Sequence, residues 1–251
     1  MPTLRSVMHP SGSHRFLPAI SPYSAGFAAN PGFEITALQL GEDISLHDGF
    51  RRIDRELARR NLPLSALAGL QLRSPALFSF PEFEKFNNEY NNLLNERSLI
   101  IDGVNPISRT NVIPLDDGPS QPIIHLAFIV HPSISLGGED FVVAGAGEIP
   151  GNLDPKNIVA HGDLSPSGMN EKVNCVLDIM NERLNALDKD NSQPRTVNIY
   201  TIHEIANLAN LIKKRFSCVA QSGMTSWITK PPVVEVEFEM DCYRNTNWIK
   251  I

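Results

Sequence analysis

The sequence has few cysteines and no long apolar run. Its 251 residues include Cys175, Cys218 and Cys242, an odd number without the Cys-x-x-Cys spacing of zinc and redox sites. This scarcity argues against a disulfide framework and favours a reducing compartment, so we predict a cytoplasmic protein. The first 16 residues lack the apolar segment of a signal peptide, and no run approaches transmembrane length. We therefore expect a soluble chain that does not bind membranes.

Positive charge is also scarce. Lysine and arginine number 22 against 28 acidic residues, which gives a net charge of −6, and the only compact basic run is 213–215. This balance disfavours nucleic acid as a partner. The seven histidines are scattered without the spacing of metal ligands, so we predict no metal site and no cofactor.

Helix and strand patterns occur twice along the chain in the same order. In each half a serine-capped amphipathic helix is followed by a strand and by a second helix that opens on a capping box. Corresponding predicted caps are 122 residues apart in both pairs, which are Ser45 with Ser167 and Ser79 with Thr201. Strands at 123–130 and 233–240 end the two halves. Constant spacing between unlike sequences predicts a duplicated unit rather than coincidence.

The duplication sets the predicted fold class and boundaries. We expect an α+β protein with domains at residues 19–131 and 132–251. Residues 1–18 have little apolar pattern and are predicted to be an N-terminal arm that orders only by docking.

Small residues follow a predicted buried strand at 141–143. The run Ala144-Gly145-Ala146-Gly147 leaves almost no side-chain bulk, so a ligand or another backbone can approach the main chain there. A β-bulge or tight packing against a helix is the alternative.

Motifs in both halves resemble the RidA family of reactive-intermediate deaminases, also called the YjgF or L-PSP family. The segment Ala146-Gly147-Glu148-Ile149-Pro150 is similar to the family's Ser-Gly-Gln-Ile-Pro, which also follows a strand. The first half resembles the family in Pro22-Tyr23-Ser24, in Phe83-Glu-Lys-Phe-Asn87-Asn-Glu-Tyr90 and in Arg109-Thr110-Asn111-Val112. Together these matches cover nearly all of the chain after residue 18.

The resemblance implies two tandem chorismate-mutase-like domains, each a mixed sheet with two helices on one face. Single-domain members of the family form trimers with ligand clefts between subunits. We therefore expect a homo-oligomer, most simply a trimer of chains, whose domain count is a multiple of three.

The resemblance also implies substrate-binding residues. Arg109 matches the arginine that binds the substrate carboxylate, a task suited to the guanidinium fork. The second half has no counterpart of this arginine, and the first half lacks the motif glycine that the second keeps as Gly147. Tyr23 and Asn111 come from the matching motifs of the first half, and Trp227 could form a flat apolar wall or belong to the core.

Candidate catalytic residues complete a composite cleft shared by the halves. The family's water-orienting glutamate resembles Glu235 on the predicted last strand, although a solvated outer-face residue is the alternative. The predicted cleft combines Tyr23, Asn87 and Arg109 of the first half with Gly147, Glu148 and Glu235 of the second.

The predicted function is hydrolytic, metal-independent deamination of a small carboxylated enamine or imine. We favour a 2-aminomuconate-type dicarboxylate of aromatic-compound degradation, because both halves depart from the general scavenger's motif. Arg195 or Arg73 could then hold the second carboxylate. The alternatives are a general 2-imino-acid scavenger and a non-catalytic ligand-binding or assembly protein. A ribonuclease is disfavoured by the acidic balance.

Overall fold

Two mixed β-sheets and five α-helices make up the part of the chain that the computed structural model describes, residues 4–20, 22–40, 43–134 and 137–251. The strands are β1 Val7–Met8, β2 His14–Phe16, β3 Gly26–Ala29, β4 Phe33–Gln39, β5 Leu67–Arg73, β6 Ser108–Pro114, β7 Ile123–Pro132, β8 Phe141–Gly147, β9 Thr196–Tyr200, β10 Thr225–Trp227, β11 Thr229–Lys230, β12 Glu239–Arg244 and β13 Asn247–Lys250. The helices are α1 Leu46–Arg59, α2 Phe80–Asn95, α3 Pro166–Ala186, α4 Leu208–Arg215 and α5 Val219–Ser222. The predicted α+β class is confirmed.

The sheets have seven and six strands. Their orders are β1-β2-β3-β8-β12-β9-β10 and β11-β6-β5-β7-β4-β13. Pairing is parallel between β9 and β10, β5 and β6, and β4 and β13, and antiparallel between the other neighbours.

Strands cross between the two halves of the sequence. Strand β3 of the first half pairs with β8 of the second, and the C-terminal β13 pairs with β4. The N-terminal segment docks on its own chain, because β2 pairs with β3. Each sheet therefore contains strands from both sides of the boundary that we predicted at residues 131 and 132.

The sheets face each other and the helices cover their outer faces. One core cluster joins α1 and α2 to the six-stranded sheet, with Phe50 and Tyr90 at its centre. A second joins α3 to the seven-stranded sheet through Val176 and Met180. A third lies between the sheets, where Phe128 of β7 contacts Tyr243 of β12 at 5.2 Å between ring centroids. Apolar burial on both faces of each sheet holds the four layers together.

Predicted helix starts in the first half are confirmed. The Ser45 hydroxyl accepts a hydrogen bond from Asp48 N, and Ser79 and Glu82 form the capping box before α2. Both interactions span three residues, so they depend on local sequence alone.

Two predicted helix starts in the second half are wrong. Helix α3 is capped by Ser165 rather than Ser167. Thr201 caps no helix, because its hydroxyl donates to Glu237 O, and α4 begins only at Leu208 after Asn207 in the left-handed region. The equal spacing of four caps is therefore not a feature of the structure.

The predicted last strand at 233–240 is also wrong for most of its length. Strand β12 starts at Glu239, and residues 233–238 form a turn and an irregular segment with Glu235 at a φ of 69°. The Glu148 carboxylate accepts the N–H groups of Glu237 and Phe238, which would otherwise be free to pair with a neighbouring strand. This interaction keeps 237–238 out of the sheet.

Among the described residues, no helix is both long and apolar enough to cross a membrane.

Candidate active site

A cavity of about 450 Å³ lies where the two halves of the chain meet. It is lined by strand β6 of the six-stranded sheet, by β8 and the start of β12 in the seven-stranded sheet, by α3, and by residues 231–233 and 236. Arg109 and Gly147, predicted to share a composite cleft, both line it. A pocket of this size suits a small molecule.

Arg109 is buried in an aromatic cage at this cavity. Its Cζ lies 4.8 Å from the ring centroid of Tyr23 and 4.7 Å from that of Tyr90, with the rings of Phe83 and Phe86 slightly farther away. The ring faces stabilise the cation. Burial lowers the pKa of Arg109, but an arginine side chain stays protonated in proteins.

Asn87 fixes the orientation of the guanidinium. Its Oδ1 accepts a hydrogen bond of 2.6 Å from Nη2 of Arg109. Nη1 of Arg109 is buried and has no hydrogen-bond partner within the described chain. An unpaired buried donor is costly, so this nitrogen is the expected contact for a ligand oxygen.

Asn111 supplies a second unpaired donor at the same cavity. Ser74 donates to its Oδ1 at 3.0 Å, which sets the amide so that Nδ2 is left buried without a partner in the described residues. Two such donors on one strand, Arg109 and Asn111, favour a ligand group rich in acceptors, such as a carboxylate.

Arg183 also reaches the cavity and was not among the residues predicted for the site. It comes from α3, and its Nη1 donates to Ala144 O at 2.8 Å and Gly145 O at 3.1 Å. Position 183 follows Met180 by three residues and precedes Leu187 by four, so it lies on the apolar face of the helix. A charged residue on an apolar helix face was the available signal.

Glu239 is the second residue that sequence reasoning missed. It is the first residue of β12, it is buried, and it lines the cavity. Burial, followed by the negative charge of Asp241, raises the pKa of its carboxyl to about 8, although Arg183 opposes the shift. At pH 7 Glu239 is therefore mostly protonated and can act as a proton donor.

Glu235, predicted to orient water, lies elsewhere. It sits in the turn before β12, its side chain is about half exposed, and Oε2 pairs with His161 Nε2 at 3.1 Å. Its predicted place on the last strand is wrong because the strand begins four residues later, at Glu239.

Glu148 is fully buried and does not line the cavity. Its Oε1 accepts from Glu237 N at 2.7 Å and its Oε2 from Phe238 N at 3.1 Å, and Lys172 Nζ lies 3.3 Å from Oε1. Both oxygens are therefore engaged in holding the chain that leads into β12.

Three further candidates also lie outside the cavity. Trp227 is 39% exposed on β10 and donates from Nε1 to Asn198 Oδ1, so it is neither a core residue nor a cavity wall. Arg73 donates to the carbonyl of Leu72 and lies over the ring of Tyr200. Arg195 is exposed and directly precedes β9.

The arrangement suits proton transfer to an anionic ligand. Arg109 and Arg183 place positive charge in one small cavity, and the electrostatic influence of both reaches Tyr23. A protonated carboxyl at Glu239 lies within the same field. No group of three or more potential metal ligands occurs among the residues that the structure describes.

A curated protein and two solved structures are similar to this chain. A curated protein of Comamonas testosteroni, 2-amino-5-chloromuconate deaminase, is 35% identical over 239 residues, which are 94% of this chain and 95% of that one. A chorismatase crystal structure is 11% identical, covers 95% of this chain and 78% of its own, and has a TM-score of 0.49. A candidate endoribonuclease from Thermotoga maritima is 16% identical, covers 53% of this chain and 91% of its own, and has a TM-score of 0.30. These two structural likenesses are too weak to carry a conclusion.

The match to a known family spans almost the whole chain. Residues 6–247 fit the family described as 2-aminomuconate deaminase CnbZ, and this span includes every residue described at the cavity. Together with the 35% identity to a chloromuconate deaminase, it confirms the expected branch of deaminases. The chain belongs to the 2-aminomuconate deaminase CnbZ family.

Proposed function

We propose that this protein hydrolyses the C–N bond of 2-aminomuconate or a close analogue and releases ammonia. The observation that carries the proposal is the pairing, in one cavity, of the caged Arg109 and the buried Glu239. Arg109 has an unused donor for a carboxylate, and Glu239 has a proton to give. Family membership gives the substrate class.

Arg109 holds the carboxylate next to the carbon that bears nitrogen. Its Nη1 and the Nδ2 of Asn111 donate to the two oxygens, while Asn87 holds the guanidinium in place. Tyr23 packs on the cation and lines the cavity. Gly147 also lines the cavity and packs closely against Val236, because a Cβ atom at residue 147 would lie 2.7 Å from Val236 Cγ1.

Glu239 acts as the general acid and then as the base. It protonates the enamine carbon, which converts the C=C–NH₂ group into an iminium ion. Water adds to the iminium carbon as Glu239 takes back a proton. The resulting carbinolamine loses ammonia and leaves a 2-oxo acid, so one water is consumed for each ammonia released. General acid–base catalysis of this kind contributes typically about 10²- to 10⁴-fold.

We infer metal independence from the same groups. The charge that develops during the reaction is met by arginines and a neutral carboxyl, and no step calls for a Lewis acid. Activity that is unchanged after dialysis against EDTA is the expected result.

The test compares two substrates. Ammonia release is measured with 2-aminomuconate and with 2-iminobutanoate, each generated in situ, against buffer alone. Faster turnover of 2-aminomuconate is expected. Equal turnover of both would favour the general scavenger, and no acceleration of either would favour the non-catalytic alternative.

The tandem organisation and the assembly belong to the same proposal. The repeated strand–helix order supports two RidA-like units that exchange strands, with boundaries near residues 19, 131 and 132. Exposed apolar side chains on edge strands, Trp227 of β10 and Trp248 of β13, support contacts between copies in a trimer. A trimeric mass by light scattering at micromolar concentration is expected, and a monomeric mass would contradict it.

A cytoplasmic location and a small-molecule partner complete the proposal. Cys218 and Cys242 are buried and all three cysteines are free, which fits a reducing compartment.

A further inference from the structure

Arg183 has unused hydrogen-bonding capacity at the cavity. Its Nη1 is committed to the carbonyls of Ala144 and Gly145, whereas no hydrogen bond within the described chain uses its Nε or Nη2. The Arg183 side chain is only partly buried. Because Arg183 lines the cavity, a ligand can reach the part of the guanidinium that the backbone leaves free.

The two arginines enter the cavity from different elements. Arg109 belongs to β6 and its guanidinium lies in the aromatic cage, whereas Arg183 belongs to α3 and its guanidinium lies against the end of β8. Because each guanidinium is held by a different element, the cavity has two separate positions where a ligand carboxylate can bind.

The charge balance of the lining favours a doubly negative ligand. Arg109 and Arg183 contribute two positive charges, and Glu239 is mostly neutral at pH 7 because burial raises its pKa to about 8. Glu182 is the other carboxylate of the lining, and it is exposed to solvent at the rim. The two positive charges of the inner lining are therefore balanced by a ligand that carries two carboxylates.

We propose that Arg183 binds the second carboxylate of the substrate, so that the cavity selects dicarboxylates. The proposal rests on the proposed function in one respect, namely that the first carboxylate lies on Arg109. It assigns to Arg183 the part that the sequence left to Arg195 or Arg73. The reacting carbon then lies between two anchors, which fixes the substrate along its whole length.

A purely structural role for Arg183 makes a different prediction. If the residue only holds the carbonyls of residues 144 and 145, its loss disturbs the wall of the cavity. Ligands with one and with two carboxylates would then be weakened equally, with a lower melting temperature.

The experiment measures binding of unreactive probes by calorimetry. trans,trans-Muconate has the six-carbon diene and two carboxylates, and sorbate has the same diene with one. Both are titrated into the wild-type protein and into Arg183→Gln, Arg183→Lys and Arg109→Gln, with melting temperature as the check on folding. Neither probe carries an amino group, so the measurement does not depend on turnover.

The wild type is expected to bind muconate about 10- to 100-fold more tightly than sorbate. This is the gain in affinity that one hydrogen bond to a charged group typically gives. Arg183→Gln should lose this preference while its affinity for sorbate is unchanged, and Arg183→Lys should retain part of it. Equal losses for both probes in Arg183→Gln, or a wild type without preference for muconate, would overturn the proposal. If Arg183→Gln does not fold, Arg183→Lys decides by the same comparison.

Failure of the proposed function gives a different pattern. If Arg109 is not the first anchor, Arg109→Gln binds both probes like the wild type, whatever Arg183→Gln does. If the cavity binds but does not react, the muconate preference persists and no ammonia is released from 2-aminomuconate.

Discussion

The carboxyl group of Glu239 lies directly against the backbone of Gly145. A Cβ atom placed on residue 145 would approach Oε1 of Glu239 to 2.0 Å and the methyl group of Thr110 to 2.9 Å. Thr110, on β6 of the six-stranded sheet, holds the backbone of Gly145 in place. Its hydroxyl accepts a hydrogen bond from Gly145 N and donates one to Asp241. The small residues predicted to follow a strand at 141–143 instead belong to β8, which runs to Gly147, and they make room for a protein carboxyl group.

Gly145→Ala is expected to inactivate the enzyme without unfolding it. The added methyl group forces Glu239 out of its position, and loss of a general acid lowers kcat/KM by about 10²-fold or more. Gly118→Ala is the matched control on an exposed loop, where a Cβ would lie 3.3 Å from Pro114 O. Near-normal kcat/KM in a folded Gly145→Ala variant would exclude Glu239 as the acid.

Glu239 should give the pH profile its alkaline limb. Burial raises its pKa to about 8, so the proton is held below that pH and lost above it. We expect kcat/KM of the wild type to fall as the pH rises through about 8. Glu239→Gln, which cannot titrate, should retain only residual activity, lower by about 10²- to 10⁴-fold at pH 7, with no fall near pH 8. The same alkaline limb in Glu239→Gln would assign it to another group.

Arg109→Lys should greatly reduce activity while the fold persists. Lysine keeps the charge but loses the fork that places one nitrogen on Asn87 and another towards the ligand. Losing such contacts to a buried carboxylate costs about 2–5 kcal/mol. Arg97→Lys, on an arginine that stacks on Phe50 and pairs with Asp54, is the control. Comparable turnover in the two variants would mean that Arg109 is not the anchor.

Lys172→Met should lower the free energy of unfolding and leave the turnover number unchanged. Lys172 and Glu148 form a fully buried ion pair, and removal of the cation leaves Glu148 buried without a counter-charge. Breaking such a pair costs about 3–5 kcal/mol, measurable by urea denaturation against Lys213→Met on the surface of α4. Folded Lys172→Met should keep its turnover, because Lys172 does not line the cavity and the N–H groups of Glu237 and Phe238 still hold the Glu148 carboxylate in place. A large loss of kcat at unchanged stability would instead support the catalytic role first predicted for Glu148.

Local sequence determined the features that depend on short-range interactions. Ser45 and Ser79 were predicted as caps because each bonds to a backbone N–H three residues along the chain. Strand β9 and the helices α1 and α2 follow from apolar periodicity. Arg109, Tyr23, Asn111 and Gly147 were found from motifs, and the structure brings all four to one cavity.

Tertiary structure alone decided which acid and which second arginine reach that cavity. The start of β12 depends on Glu148, whose carboxylate binds backbone groups 89 and 90 residues further along the chain. A strand that begins at Glu239 instead of residue 233 puts a different glutamate at the site. The sequence marked Arg183 only as a charge on the apolar face of a helix, and its place at the cavity follows from the packing of α3 across the end of β8. Local patterns determine helices, strands and caps because these need only near neighbours, whereas strand ends and cavity linings depend on contacts between distant segments.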